Sequence, residues 1–136
     1  VQGLGELNYA YSLLKQYKGE WEFDTNWKMI FGHPKKAGWI KAIQEAQQTV
    51  QKGLKLDCPI LVMSSNKSFP ETETWHEEYM TSDIVLDVQD IQKYGEKLGD
   101  KVTRDTIPNG IHDLILSQKP YRNDAYQTIF EWLKKQ

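Results

Sequence analysis

Residues Pro59–Ser64 read P-I-L-V-M-S, a continuous apolar run of strand length, and Val102–Ile107 read V-T-R-D-T-I, a second run of that length. An uninterrupted apolar run is typical of a strand that is covered on both faces. A helical pattern lies between the two runs, so we expect parallel strands joined by a right-handed crossover. Alternation of strand and helix predicts the α/β class for this part of the chain.

Amphipathic helix patterns surround the predicted strands. Four stretches have the apolar spacing of a helix: Leu7–Tyr17, Trp39–Val50, Val88–Leu98 and Asn123–Leu133. Gly19, Gly53 and Gly99 follow the first three and end them. In the last stretch we expect Ala125, Tyr126, Ile129, Phe130 and Leu133 to face inward. Glu20–Asp24 alternates instead, which predicts a short strand or an extended segment.

The two ends of the chain differ in character. Residues 1–56 contain helix patterns and aromatic clusters but no convincing buried strand, whereas residues 57–136 alternate strand and helix. Two parallel strands do not make a stable sheet by themselves. We therefore expect sheet partners outside this sequence, and we expect the chain alone to self-associate through its uncovered apolar faces.

Composition excludes several classes of protein. The chain has 136 residues, 39% of them hydrophobic and 26% charged, with a net charge of -2, which fits one globular domain and argues against a nucleic-acid partner. No apolar run is long enough to cross a membrane. Cys58 is the single cysteine, so we expect a reducing, cytoplasmic setting and a buried, unreactive thiol. Aromatic residues reach 12%, which suits either an apolar-substrate lid or a Trp-rich core.

Two segments carry candidate chemistry: S-D-I-V-L-D at Ser82–Asp87 and G-I-H-D-L-I-L-S at Gly110–Ser117. His112 follows the second predicted strand in a glycine-opened loop, where a general base could reach a nucleophile. The alternative is a structural histidine that caps a turn. Asp83 and Asp87 both could orient the imidazole as the acid of a catalytic triad. Because Asp87 also suits the N-cap of the following helix, we favour Asp83.

The third member of a triad is missing. No G-x-S-x-G elbow and no H-G-G-type oxyanion loop occurs, and we interpret Ser64, Ser65 and Ser68 as polar loop residues. Asp113 should hold the loop of His112. His33 and His76 lack ligand spacing to each other or to His112, so we expect no metal site and no other cofactor.

These segments together resemble the α/β-hydrolase superfamily, specifically its serine-aminopeptidase/monoglyceride-lipase-like group of lysophospholipase-type hydrolases. Gly19–Lys28 and Ala37–Ile43 resemble a lid, P-I-L-V-M-S-S resembles the seventh strand, and the two candidate segments resemble the acid turn and the histidine loop. The resemblance implies that residues 1–56 form a lid or cap and residues 57–136 the C-terminal part of the core. It implies Asp83 and His112 as catalytic residues, with Asn66–Ser82 as an unusual insertion between strand and acid.

The resemblance also implies a function, that of a serine ester hydrolase of the carboxylesterase or lysophospholipase type, acting on small or lipid-like esters. The early strands and the nucleophilic serine would precede Val1, so we expect this chain alone to be inactive. The alternative is a non-catalytic interaction module with an aromatic binding surface.

Overall fold

The computed structural model describes residues 6–30 and 34–136. Its helices and strands, in chain order, are α1 (Glu6–Leu13), α2 (Ala37–Lys52), β1 (Ile60–Ser65), α3 (Val88–Gly95), β2 (Val102–Ile107) and α4 (Lys119–Leu133). Short 3-10 helices cover Glu77–Met80, Glu96–Leu98 and Leu114–Leu116. The mixture of helices with a parallel sheet confirms the predicted α/β class at this coarse level.

Strands β1 and β2 pair in parallel, with a register that runs from Ile60 opposite Val102 to Ser65 opposite Ile107. The bounds of β2 are those predicted. Strand β1 begins one residue later than predicted, because Pro59 has no N–H to donate and the amide of Ile60 makes the first bond, to Lys101 O at 2.9 Å.

The expectation that both faces of β1 are covered is wrong. Residues 60–63 are only half-buried, and burial is complete at Ser64 and Ser65. A two-stranded sheet offers one neighbouring strand and little surface to cover the rest of β1.

The ends of the helices differ from the predicted ones for local reasons. Helix α1 ends at Leu13 rather than Tyr17, because Leu13 O accepts a hydrogen bond from Trp21 N at 3.0 Å and the chain turns back. The segment Glu20–Asp24, which was predicted as a short strand or an extended segment, forms one isolated β-bridge, between Leu14 and Trp21. Helix α4 starts before Asn123, since Pro120 fits a first helical turn.

A small core lies where α1, the insertion after β1 and the ends of both strands meet. Its apolar members are Ala10, Leu13, Leu14, Tyr79, Met80, Val88, Ile107, Ile111 and Ala125. A partly buried hydrogen bond at 2.8 Å, from Asn8 Nδ2 to Thr72 O, connects α1 to the segment after β1. The segment Asn66–Ser82 is therefore part of the folded core.

Several residues that were expected to be inside lie on the surface. On α4, Phe130 and Leu133 are 57% and 52% exposed, although the sequence predicts that both face inward. The thiol of Cys58 is exposed as well. The expectation for α4 was wrong because a helix pattern specifies an apolar face but not the surface that covers it. Cys58 lies in the connection before β1 and not in the strand itself. Among the described residues, none of the helices has the length and apolar composition that a membrane crossing requires.

Candidate functional site

The Asn66–Ser82 insertion is a closed loop that returns the chain to the end of β1. Asp83 N donates to Lys67 O at 3.0 Å, and Phe69 N donates to Asp83 O at 3.0 Å. Tyr79, which is fully buried, fills the loop and accepts a hydrogen bond from Thr72 N at 2.8 Å. Seventeen residues, Asn66–Ser82, separate β1 from Asp83 in the sequence. Asp83 nevertheless lies beside the carboxyl end of β1.

His112 is placed by a tight turn after β2. Gly110 N donates to Ile107 O at 3.0 Å, and Asn109 has a φ of 60°, a left-handed conformation that asparagine tolerates better than most residues. A Cβ on Gly110 would lie 2.6 Å from Leu114 Cδ2 and 3.2 Å from Ile107 O, so a larger residue there requires the Leu114 side chain to move.

Ser117 fastens the other side of the histidine loop. Its buried hydroxyl accepts a hydrogen bond from Ile111 N at 3.0 Å, and its carbonyl accepts one from Arg122 Nη1 at 3.2 Å. The sequence motif Gly110–Ser117 ends at this serine, whose structural role no local pattern indicates. Ser117 lies six residues from Ile111 and closes the loop at its base.

Asp83 and His112 form a hydrogen-bonded pair. His112 Nδ1 lies 2.9 Å from Asp83 Oδ2, and Asp83 is only 2% exposed. The other carboxylate oxygen accepts hydrogen bonds from the backbone amides of Val85 and Leu86, both at 2.8 Å. Because a carboxylate only accepts, it selects the imidazole tautomer with the proton on Nδ1 and leaves the lone pair on Nε2.

Asp83 and His112 shift each other's pKa in the direction that favours the charged form of each. The hydrogen bond to Asp83 raises the pKa of His112 above its ordinary value of 6.5, against an opposing effect of burial. Burial raises the pKa of Asp83, but the hydrogen bonds from His112, Leu86 and Val85 outweigh it, and the net pKa lies below the ordinary 3.8. The carboxylate therefore stays ionised and stabilises an imidazolium whenever His112 takes a proton.

Asp87, the competing candidate for the acid, has a different place. Its Oδ1 accepts a hydrogen bond from Gln89 N at 2.8 Å, at the N-cap of α3, and the residue is exposed. The structure therefore brings Asp83, and not Asp87, to His112.

A cavity of about 520 Å³ opens beside His112. That size is within the usual range for a small-molecule site. Apolar side chains from α1, from the segment that follows Trp21 and from the acid turn form most of its wall. These are Ala10, Leu13, Phe23, Met29, Ile30, Ile84 and Val85.

A polar cluster borders the same cavity and was not predicted in full. Asp113 Oδ2 accepts a hydrogen bond from the Tyr9 hydroxyl and pairs with Lys28 Nζ at 3.0 Å. The Tyr9 ring meets the His112 ring edge-on, with centroids 6.0 Å apart. Asp113 does hold its loop as expected, but no local pattern marks Tyr9 or Lys28, which are 104 and 85 residues away.

Serines near the end of β1 are engaged elsewhere. Ser64 and Ser65 are buried strand residues rather than loop residues, and the hydroxyl of Ser68 donates to Leu86 O at 2.9 Å. No serine in residues 6–30 and 34–136 is hydrogen-bonded to His112.

The remaining histidines have no shared site. His76 packs against Phe69 and Tyr79, and His33 lies outside the described residues. Within the part of the chain that the structure describes, no group of three or more His, Cys, Asp or Glu side chains could hold a metal ion.

No protein-family model, no curated protein and no solved structure matches the chain.

Proposed function

We propose that this chain is the C-terminal part of a serine ester hydrolase with an α/β-hydrolase fold, and that it contributes the acid and the base of the triad. The observation that carries the proposal is the 2.9 Å hydrogen bond between buried Asp83 and His112 Nδ1, beside an apolar cavity. An acid that fixes the imidazole tautomer and a base that faces a cavity are two of the three parts of such a site.

The chemistry follows from these positions. A serine from another part of the protein attacks the ester carbonyl while His112 Nε2 takes its hydroxyl proton, and a tetrahedral oxyanion forms. His112 then gives that proton to the leaving alcohol as the C–O bond breaks, which leaves an acyl-serine. A water molecule repeats both steps and releases the acid. Asp83 stays ionised and stabilises the imidazolium throughout.

The wall of the cavity favours an apolar acyl group. Phe23 and Met29 come from the proposed lid segment, residues 1–56, and Leu13 comes from α1 in the same segment. Burial of an acyl chain against them would supply binding energy in proportion to the area removed from water. Small or lipid-like carboxylic esters are therefore the substrate class that we propose. The proposed enzyme needs no cofactor for this chemistry, and we propose that it acts in the cytoplasm.

A fluorophosphonate probe, which labels activated serines, tests the proposal. We would apply it to this chain and to a longer product of the same gene. Labelling of the longer protein alone, lost on His112→Ala, is the expected result, because the base activates the nucleophile. Labelling of this chain would mean that one of its own serines is activated and would overturn the proposed division of the triad. Labelling of neither protein would favour the interaction module.

One observation favours that second candidate. The apolar stripe of α2 is uncovered, with Trp39, Ile40 and Ile43 at 54%, 46% and 38% exposed, and α4 presents Phe130 and Leu133. Faces of this kind mark interaction sites.

A further inference from the structure

The polar cluster beside His112 joins three separate parts of the chain. Tyr9 belongs to α1, Lys28 to the segment after Trp21, and Asp113 to the histidine loop. Lys28 Nζ also lies 5.6 Å from the centroid of the Tyr9 ring, a cation–π distance. Each of the three residues therefore contacts the other two, and all three line the cavity.

The segment that carries Lys28 forms one wall of the cavity. We define the cavity flap as residues 22–30, which include Phe23, Met29 and Ile30 among the lining residues. The flap is fastened at its start, where Trp21 Nε1 donates to Leu116 O at 2.9 Å and Arg122 stacks on the Trp21 ring. Further along the chain, the ion pair between Lys28 and Asp113 connects the flap to the loop that carries His112.

We propose that Tyr9 and Lys28 are positioning residues that act through Asp113, so that closure of the cavity flap and orientation of the His112 imidazole depend on one cluster. The proposal rests on the function proposed for His112. Asp83 fixes one nitrogen of the ring, while the edge-on Tyr9 ring limits its rotation from another side. The hydroxyl of Tyr9 is in turn fixed by the carboxylate next to the histidine.

Electrostatics agree with this arrangement. Burial and the neighbouring Asp113 raise the pKa of the Tyr9 hydroxyl, so it remains protonated and donates to the carboxylate. Three charged groups act on the pKa of His112, namely Asp83, Asp113 and Lys28, and the neutral Tyr9 ring lies edge-on against the imidazole. Asp113 raises and Lys28 lowers the pKa of His112, so removing either charge moves that pKa in a known direction.

Nitrogen-15 NMR of the imidazoles in the full chain tests the proposal, with His112 assigned from a His112→Gln variant. We expect Asp113→Asn to lower the midpoint of the His112 titration and Lys28→Met to raise it. We expect Tyr9→Phe to reduce the share of His112 held with its proton on Nδ1. Tyr11→Phe is the matched control, since Tyr11 lies on α1 but stacks on Tyr17.

Hydrogen exchange of the same variants tests the link to the flap. We expect Lys28→Met and Asp113→Asn to speed exchange in both the flap and residues 110–116, about two- to fivefold, the range for loss of a partly exposed ion pair. Asp57→Asn, which removes the exposed 2.6 Å pair with Lys101, should leave both segments unchanged.

Two results would overturn the inference: titrations and tautomers in the Tyr9, Lys28 and Asp113 variants that match the unmodified chain, or faster exchange in one segment only. Lys28 is half-exposed, so Lys28→Met should fold even if another variant does not. Neither readout involves a serine, so failure here is distinct from failure of the probe experiment.

Discussion

Replacing Asp83 by alanine removes a carboxylate that accepts hydrogen bonds from His112 Nδ1, Val85 N and Leu86 N. A buried donor that loses its acceptor costs about 1–3 kcal/mol, the lower value applying where water can reach it. Val85 and Leu86 are about half exposed and His112 is 28% exposed, so we use the lower value for each. The expected loss in the free energy of unfolding is about 3 kcal/mol.

Replacing Asp83 by asparagine separates the contribution of the bond to His112 from that of the bonds to the two backbone amides. The asparagine side-chain carbonyl can still accept from Val85 and Leu86, and only the charge-assisted bond to His112 is lost. At the lower value used above, that bond contributes about 1 kcal/mol. Asp87→Ala is the matched control, because it removes an exposed carboxylate four residues away that caps α3, at a cost of about 1 kcal/mol.

Urea unfolding followed by tryptophan fluorescence measures these losses. With a urea dependence of about 2 kcal/mol/M, Asp83→Ala should lower the midpoint by about 1.5 M, about three times the effect of Asp83→Asn. If Asp83→Ala costs no more than Asp87→Ala, the buried hydrogen-bond network does not exist in solution. Equal losses for alanine and asparagine would mean that the amide bonds contribute nothing.

The pH dependence of the same comparison gives a second check. The pKa of Asp83 lies below its ordinary 3.8, so its stabilisation is present above pH 3.8 and is lost as pH falls through the lowered pKa. The pKa of His112 lies above its ordinary 6.5, so its contribution is complete below pH 6.5 and is lost as pH rises through the raised pKa. The difference between the unmodified chain and Asp83→Asn should be widest between these values.

Two further predictions concern the turn and the exposed helix face. Gly110→Ala should destabilise the chain by about 1 kcal/mol in thermal unfolding, because its Cβ would displace the Leu114 side chain and lie 3.2 Å from Ile107 O. Gly38→Ala in α2, where the Cβ meets nothing within 4 Å, should instead stabilise the chain by about 0.5–1 kcal/mol; equal effects would contradict the turn geometry. Sedimentation of the chain at micromolar concentration should show self-association that Phe130→Glu weakens, since Phe130 is 57% exposed, and a compact monomer would refute that prediction.

The sequence predicted the elements whose signals are local. Strand β2 has the predicted bounds because its pattern is complete within six residues, and Asp87 caps α3 as its type and position suggested. The pairing of Asp83 with His112 depended on whether the insertion closes, which rests on the packing of Tyr79. Lys28 and Tyr9 meet Asp113 across 85 and 104 residues, a distance over which spacing carries no information.

The closed insertion and the tight turn after β2 have a consequence for how such a site could be assembled. Asp83 and His112 lie 29 positions apart, with α3 and β2 between them, so the acid–base pair is preassembled within a single strand–helix–strand unit. If the proposed function holds, a complementary chain carrying the serine would need to establish one new reactive contact, at Nε2 of His112, to complete the triad. On that same proposal, hydrolysis would report the reunion of two separately expressed parts of the enzyme.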